Sequence, residues 1–346
     1  MPTTPVISNL TLHGLPQLIR RELGERTLAR AVRAAGVDLD AIEGESCFIP
    51  HAAALRLIET AARAAGEANF GLLMAPQMDV ANYGTYGQYI YAAETLGSAI
   101  GRAVEALSYH SNADRMSLVV AGNEARFSYG FALSGHPGYG HVANVAAGAL
   151  SSVCRRFLSE NWRPLRIELD IPKPRQASLF EDMFNCPVIF DAPTMTVVFE
   201  RGSLAACGPV RAATPILTIA DVARDRRGAA PRDTLGVILE HIRLQVRAGS
   251  ISIDNTARAI GMSTRTLQRE LHREGTDFRS LANAARSARA KELIRHTDVS
   301  ITGIAAELGY STPANFSRAF REATGCGPRE FRLGLLSGGS SDHLSA

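Results

Sequence analysis

Lysine is almost missing from this 346-residue chain: Lys173 and Lys291 are the two lysines among 37 basic residues, a bias that reflects a GC-rich genome rather than site chemistry. Cysteine is scarce too. Cys47, Cys154, Cys186, Cys207 and Cys326 are odd in number, scattered and never arranged as CxxC, so neither a disulfide framework nor a zinc cluster is expected. Most are read as small buried residues, with a thiol sensor as the alternative. No run of 18 apolar residues occurs, and the opening MPTTPVISNL lacks the charged start and apolar core of a signal peptide, so a cytosolic chain with no membrane partner is expected. GxSxG, P-loop and GxGxxG motifs are absent, and no catalytic residue or cofactor is expected. HPGYGH places His136 and His141 around glycines, but no nearby Cys, Asp or Glu completes a metal site, so none is expected there.

What is present is a helix-turn-helix pattern that occurs twice near the C-terminus. The first copy is IDNTARAIGMSTRTLQRELHREG (Ile253 to Gly275), and the second is ITGIAAELGYSTPANFSRAFREATG (Ile301 to Gly325). Ile253, Ala257 and Ile260 recur at i, i+4 and i+7, as do Ile301, Ala305 and Leu308, so each copy opens on a short helix with one apolar face. Gly261 and Gly309 then supply the left-handed backbone that ends such a helix. Ser263 with Thr264, and Thr312 with Pro313, offer N-cap and first-turn chemistry for a second helix. Leu267 with Leu271, and Phe316 with Phe320, give that helix its inward face. Its outward face carries Arg265, Gln268 and Arg269 in the first copy, and Ala314, Asn315 and Arg318 in the second. Arginine bonds guanine bidentately, and glutamine or asparagine reads adenine, so these residue types suit the major groove of double-stranded DNA. One copy alone is equally an ordinary αα-hairpin; two in register favour DNA binding.

At these residues the chain resembles the AraC/XylS family of bacterial transcription regulators. The resemblance rests on IAAELGY (Ile304 to Tyr310), Phe316, Arg318, Phe320, Gly325, Pro328 and the pair Phe331–Arg332, with SLANAARSARAKELIRH (Ser280 to His296) as the helix joining the two units. It implies an all-α DNA-binding domain over residues 232–336, with two recognition helices that enter successive major grooves about 34 Å apart on promoter DNA. By the same resemblance Ser263, Thr264, Arg265, Gln268 and Arg269, then Thr312, Ala314, Asn315 and Arg318, are the candidate DNA contacts. Pro313 and Ala314 depart from the family pattern by offering no side-chain donor, so the second helix is expected to read fewer bases. The family also implies contact with RNA polymerase and homodimerisation through the N-terminal domain.

Charge follows the motif. Residues 232–336 hold 16 Lys+Arg against 11 Asp+Glu, net +5, whereas residues 1–231 hold 21 against 22, net −1. Nonspecific DNA affinity is therefore expected to be moderate and salt dependent.

Upstream, an α+β fold is expected for residues 1–205: a helical lead followed by a small mixed sheet. LPQLIRRELGERTLARAVRAAG and HAAALRLIETAARAAG have helical spacing, with FIP (Phe48 to Pro50) and FGLLMAP (Phe70 to Pro76) read as breaks. A helix over about Thr95–His110 is followed by a hairpin from Met116 to Phe131 around Gly122 and Asn123. HVANVAAGALSSVCRRFLSEN predicts a helix, LRIELDIP a strand, SLFEDMF a short helix and TMTVVFER a final strand. This order, with PLRIELDIPKP and FNCPVIFDAPTMTVVFERGSL, resembles the arabinose-binding-type N-terminal domain of one AraC/XylS branch, which includes regulators of amino-acid and amine catabolism of the ornithine-utilisation type. The resemblance implies an effector-sensing and dimerisation domain answering to an amino acid, amine or related metabolite. The family label does not make arabinose the ligand.

NYGTYGQYIY gathers Tyr83, Tyr86, Tyr89 and Tyr91, half of the eight tyrosines. Core packing around a glycine turn is one reading, and Tyr83, Tyr86 and Tyr89 as effector contacts the other. Phe127, Tyr129 and Phe131 alternate along the hairpin and read as core. Residues 206–231 are read as a linker containing a short helix, IADVARDRRG, free to pack on either neighbour, and 337–346 as a disordered tail. The leading reading is a ligand-responsive transcription activator. An effector-independent repressor or architectural DNA-binding protein is the alternative. An enzyme with an auxiliary AraC-type module fits less well, because Cys326 falls inside the DNA motif and the other cysteines lack His or Asn patterns.

Overall fold

The computed structural model describes residues 4–67, 69–208, 217–225 and 228–338, which form mainly helices joined by short strands and turns. They divide into two units, residues 1–233 and 234–346. No helix among the described residues is long and apolar enough to cross a membrane.

The first unit begins with β1 (Val6–Ser8), α1 (Leu15–Leu23), α2 (Glu25–Ala35), α3 (Leu39–Glu43), β2 (Phe48–Pro50), α4 (His51–Ala65) and α5 (Phe70–Met74). The lead is thus helical as expected, with corrections at both expected breaks: Phe70–Met74 is the short helix α5, and Phe48–Pro50 is a strand. It pairs antiparallel with β1 in the register Val6↔Pro50, Ile7↔Ile49, Ser8↔Phe48. Three residues are too few to show a period of two, and the partner lies some forty residues away, so only the tertiary pairing makes this segment extended.

α6 (Gly84–Tyr91), α7 (Leu96–Glu105), β3 (Arg115–Ala121), β4 (Glu124–Gly130), α8 (Tyr139–Phe157), β5 (Arg166–Glu168), α9 (Ser178–Phe184), β6 (Val188–Ile189), β7 (Met195–Glu200) and α10 (Ile219–Asp225) complete the unit. A further correction falls here: the tyrosine-rich stretch, for which a glycine turn is one reading of the sequence, is the helix α6. The strands form one mixed sheet of order β3-β4-β7-β5-β6, antiparallel except for the β5–β6 pair. In β4 the residues alternate: Ala125, Phe127 and Tyr129 are buried, while Glu124, Arg126 and Ser128 are partly exposed. The outer residues are tied across β7. Arg126 bonds Glu168 at 3.0 and 2.5 Å, and Arg166 bonds Glu124 at 2.7 and 2.8 Å, each pair bidentate. These contacts lock the register that keeps Phe127 and Tyr129 facing inward.

α8 has two working faces. An ideal Cβ on Gly148 would lie 2.1 Å from the carbonyl oxygen of Ala75, so glycine is required for the close approach of the segment following α5. The face opposite carries Val142, Val145, Ala146, Ala149, Leu150 and Val153, spaced as one helical stripe.

Of the expected linker, residues 209–216 and 226–227 lie outside the described residues. The described part belongs to the first unit. α10 buries Val222 and contacts α6, Ala230 N–H donates to Ser108 O at 2.9 Å, and Asn112 Nδ2 donates to Pro231 O at 2.7 Å.

The second unit is helical throughout: α11 (Thr234–Arg247), α12 (Ile253–Ala259), α13 (Thr264–Arg273), α14 (Phe278–His296), α15 (Ile301–Glu307), α16 (Pro313–Thr324) and α17 (Pro328–Gly338). α12–α13 and α15–α16 are the two helix-turn-helix copies, joined by α14. Of the expected disordered tail, residues 339–346 lie outside the described residues, whereas α17 runs to Gly338.

Candidate nucleic-acid interface and ligand cavity

Each copy is built by the local chemistry that marks it in the sequence. Ser263 accepts from Thr266 N–H at 3.1 Å and Thr312 from Asn315 N–H at 3.2 Å, so both hydroxyls cap their helices. Gly261 and Gly309 have φ of +73° and +72°. A Cβ on Gly309 would also lie 2.7 Å from Gly249 O, so the turn tolerates no side chain there. Ala257, Ile260, Leu267 and Leu271 are buried in the first copy, and Ile304, Ala305, Leu308, Phe316 and Phe320 in the second. Ile253 and Ile301 are only half-buried.

The predicted readers separate by how they are engaged. Arg265, Gln268 and Arg269 are exposed along one face of α13, with no side-chain partner among the described residues. Arg273, one turn further, pairs with Glu270 and lies 3.8 Å from Glu274. Thr264 is committed inside the motif, donating to Asp254 Oδ1 at 2.8 Å and tying α13 to α12. In α16, Ala314, Asn315 and Arg318 are exposed, and Asn315 Nδ2 donates to Ser311 Oγ at 3.0 Å.

Asn315 and Arg318 open onto a groove of about 440 Å³ shared with Arg279, Asn283 and Arg286 of α14. Arg286 donates to Leu308 O at 3.2 Å and lies 5.2 Å from the centre of the Tyr310 ring, which fixes it beside the second copy. Arg279 and Arg286 had no distinguishing mark in the sequence, being two of many arginines on a long helix. Their juxtaposition with Arg318 comes from the packing of α14 against α16.

In the first unit the α8 stripe faces a cavity of about 80 Å³. Tyr83 and Tyr86 line it, with Ile7, Leu12, Ile58, Met116 and the hairpin residues Phe127, Tyr129 and Phe131. Tyr89 does not. Its hydroxyl donates to Glu105 Oε2 at 3.0 Å, and Arg102 covers its ring at 4.9 Å. Tyr83 and Tyr86 stack on His110, with ring centres 5.2 and 4.7 Å away. The Tyr86 hydroxyl donates to Ala103 O at 3.1 Å, whereas burial holds the Tyr83 hydroxyl protonated far above its usual range.

Phe127, Tyr129 and Phe131 are buried as expected of core, yet the face they form is also a cavity wall. Behind it, Asp114 accepts from His51 Nε2 at 2.9 Å, from the Tyr129 hydroxyl at 2.6 Å and from Ala132 N–H at 2.9 Å. Burial alone would raise the Asp114 pKa; the His51 hydrogen bond and charge, helped by the other donors, outweigh it and hold the carboxylate below its usual value.

Among the described residues no group of three His, Cys, Asp or Glu could hold a metal. His141 Nδ1 accepts from Gly71 N–H at 3.3 Å, and burial lowers the pKa of this imidazole despite Glu59 nearby. The cysteines are free thiols. Burial pushes Cys154 up to about 12 and Cys186 to about 11, so neither is a reactive thiolate.

The model of the arabinose-binding N-terminal domain of AraC transcription regulators matches residues 26–206, more than half of the chain, and a helix-turn-helix domain model matches residues 256–334. The ornithine utilization regulator of Pseudomonas aeruginosa is 23% identical over 313 residues, covering 90% of this chain and 91% of that protein. The transcriptional activator RhaS of an Enterobacter species is 36% identical over 88 residues, 25% of this chain and 32% of its own length. The crystal structure of the transcriptional regulator CdpR from Pseudomonas aeruginosa covers 76% of this chain and 86% of its own, at 22% identity and a TM-score of 0.37. Capped recognition helices in duplicate and a matched N-terminal domain thus meet in one molecule, and the chain belongs to the AraC family of transcription regulators, with an effector-binding type of N-terminal domain and a helix-turn-helix DNA-binding domain.

Proposed function

We propose that this regulator is a transcription activator whose first unit binds a small metabolite in the cavity beside Tyr83 and Tyr86, and whose second unit reads a bipartite promoter site. Arg265, Gln268 and Arg269 read base edges in one major groove; Asn315 and Arg318 read the next with fewer contacts. Arg279 and Arg286 of α14 supply phosphate contacts beside the second helix. Ser263, Thr264 and Thr312 act through their helix-capping and helix-tying bonds more than through bases. The chain works as a homodimer and contacts RNA polymerase, as the family resemblance implies.

The observation that carries this reading is the freedom of Arg265 and Arg269 on α13: they are exposed and have no side-chain partner among the described residues, while Arg273 of the same helix is held by glutamates. An unpaired guanidinium can meet a guanine without first breaking a protein contact. The cavity supports ligand control, since a ligand that fits one arrangement of the first unit better than another shifts the population by that difference in affinity.

The test is a footprint and a transcription assay with the full chain on the DNA upstream of its own gene and its neighbours. Each protomer is expected to protect two segments about one helical turn apart, and transcription is expected to rise with added effector. Repression insensitive to any ligand would overturn the activator reading.

A further inference from the structure

The walls of the cavity in the first unit carry no Asp, Glu, Lys or Arg among the described residues that line it. Two carboxylates beside wall residues are engaged elsewhere: Asp114 by His51, Tyr129 and Ala132, and Asp79 by Tyr91 and the Ala81 N–H. A zwitterionic or cationic ligand entering this space would bury its charges without partners, a cost that no contact in the cavity repays. The walls are instead hydrocarbon and aromatic faces.

Thr11 and His110 also line the cavity, but the Thr11 hydroxyl donates to Ser8 O at 2.7 Å and the His110 ring is stacked by Tyr83 and Tyr86. Tyr83 lines the cavity and is 6% exposed, and its hydroxyl has no hydrogen-bond partner among the described residues. The other two tyrosines of the lining have spent their protons, Tyr86 on Ala103 O at 3.1 Å and Tyr129 on Asp114 at 2.6 Å. No protein acceptor among the described residues occupies that hydroxyl, so a ligand oxygen placed there gains a bond the protein does not make. At roughly 10–15 Å³ for each water-sized volume, a cavity of about 80 Å³ holds roughly five to eight non-hydrogen atoms.

We infer that the cavity binds an uncharged, mostly hydrocarbon molecule the size of a single ring, bearing one oxygen that accepts a hydrogen bond from Tyr83. This rests on the first unit being the sensing domain, and it narrows the class of amino acids, amines and related metabolites to its uncharged members.

The test is titration calorimetry of the full chain with phenol, toluene, benzoate and ornithine as probes. Phenol and toluene are expected to bind, with benzoate and ornithine at least ten-fold weaker. Tyr83→Phe is expected to weaken phenol about ten-fold, as one hydrogen bond is lost, and toluene less than two-fold. Ala149→Leu, which fills the space from α8, is expected to weaken both neutral probes together. Ornithine or benzoate that competes with phenol and binds more tightly overturns the proposal, and so does phenol binding that neither variant alters. Should Tyr83→Phe fail to fold, the order of the four probes on the unaltered chain still decides. Phenol binding that obeys both variants but leaves transcription unchanged upholds the ligand chemistry and overturns the sensing role, so the two failures are distinguishable.

Discussion

Arg269→Ala is the substitution that most directly tests the DNA interface. Arg269 is exposed on α13 and has no partner among the described residues, so its loss removes no intramolecular contact and folding stability is expected to stay within about 0.5 kcal/mol. If its guanidinium bonds a guanine bidentately, affinity for the promoter site falls by about 1–3 kcal/mol, roughly 5- to 150-fold. Random DNA of the same length offers that arginine only phosphate, so nonspecific affinity falls far less. Arg273→Ala is the internal control: Arg273 is held by Glu270 and Glu274, and its removal is expected to change specific affinity less than three-fold. Arg279→Ala on α14 provides the opposite control. As a phosphate contact it should weaken all sequences alike and lower the slope of log affinity against log salt by about 0.9. Fluorescence anisotropy over a salt series on specific and random duplexes reads all three. Equal losses for Arg269→Ala on both duplexes, or a larger loss for Arg273→Ala, would refute the assignment of α13's unpaired arginines as readers.

Other expectations follow from the same geometry. Gly309→Ala places a Cβ at positive φ and 2.7 Å from Gly249 O, so thermal unfolding should show a loss of at least about 1–2 kcal/mol and weakened promoter binding. Thr312→Ala removes the cap of α16 and should cost about 1 kcal/mol in chemical denaturation, with Thr312→Ser restoring most of it. Asp114→Ala strips the acceptor from His51, Tyr129 and Ala132 and should cost about 3–5 kcal/mol in urea unfolding. Because the folded pKa of Asp114 is depressed, its contribution is complete above the unfolded value of about 4 and fades as pH falls through the lower folded value; the variant should show a shallower loss of stability below about pH 4. His141 adds a second acid-side slope. Its folded pKa is lowered by burial, so stability is full above the unfolded value near 6.5 and declines as pH falls below it, a slope His141→Gln should reduce.

Particular elements show what could be seen in advance. The hairpin was legible because Gly122, with φ of +60°, and Asn123 sit between alternating residues, so turn and period coincide within a few positions. α6 was not, because glycines at 84 and 87 lower helix propensity, and its tyrosines meet their partners on α7, Asp79 and Ser152 only after folding. Tyr83 and Tyr86 stood out as possible ligand contacts by clustering alone; so did Tyr89, which the fold turns toward Glu105 and Arg102 instead.

The sequence by itself determined the paired helix-turn-helix units, because their signals are local: an i, i+4 apolar pair, a left-handed glycine and a capping hydroxyl all act within a few residues of the chain. Only the tertiary structure decided which arginines stand free among the described residues, as Arg269 does and Arg273 does not, and which share a groove, as Arg318 does with Arg279 and Arg286. It alone made the cavity, whose lining runs from Ile7 to Val153. Each lining residue is an ordinary apolar or aromatic side chain in its own segment. The space between them exists because the β1–β2 pair, the hairpin face and the α8 stripe converge without filling it, a property of distances between elements that no local pattern encodes.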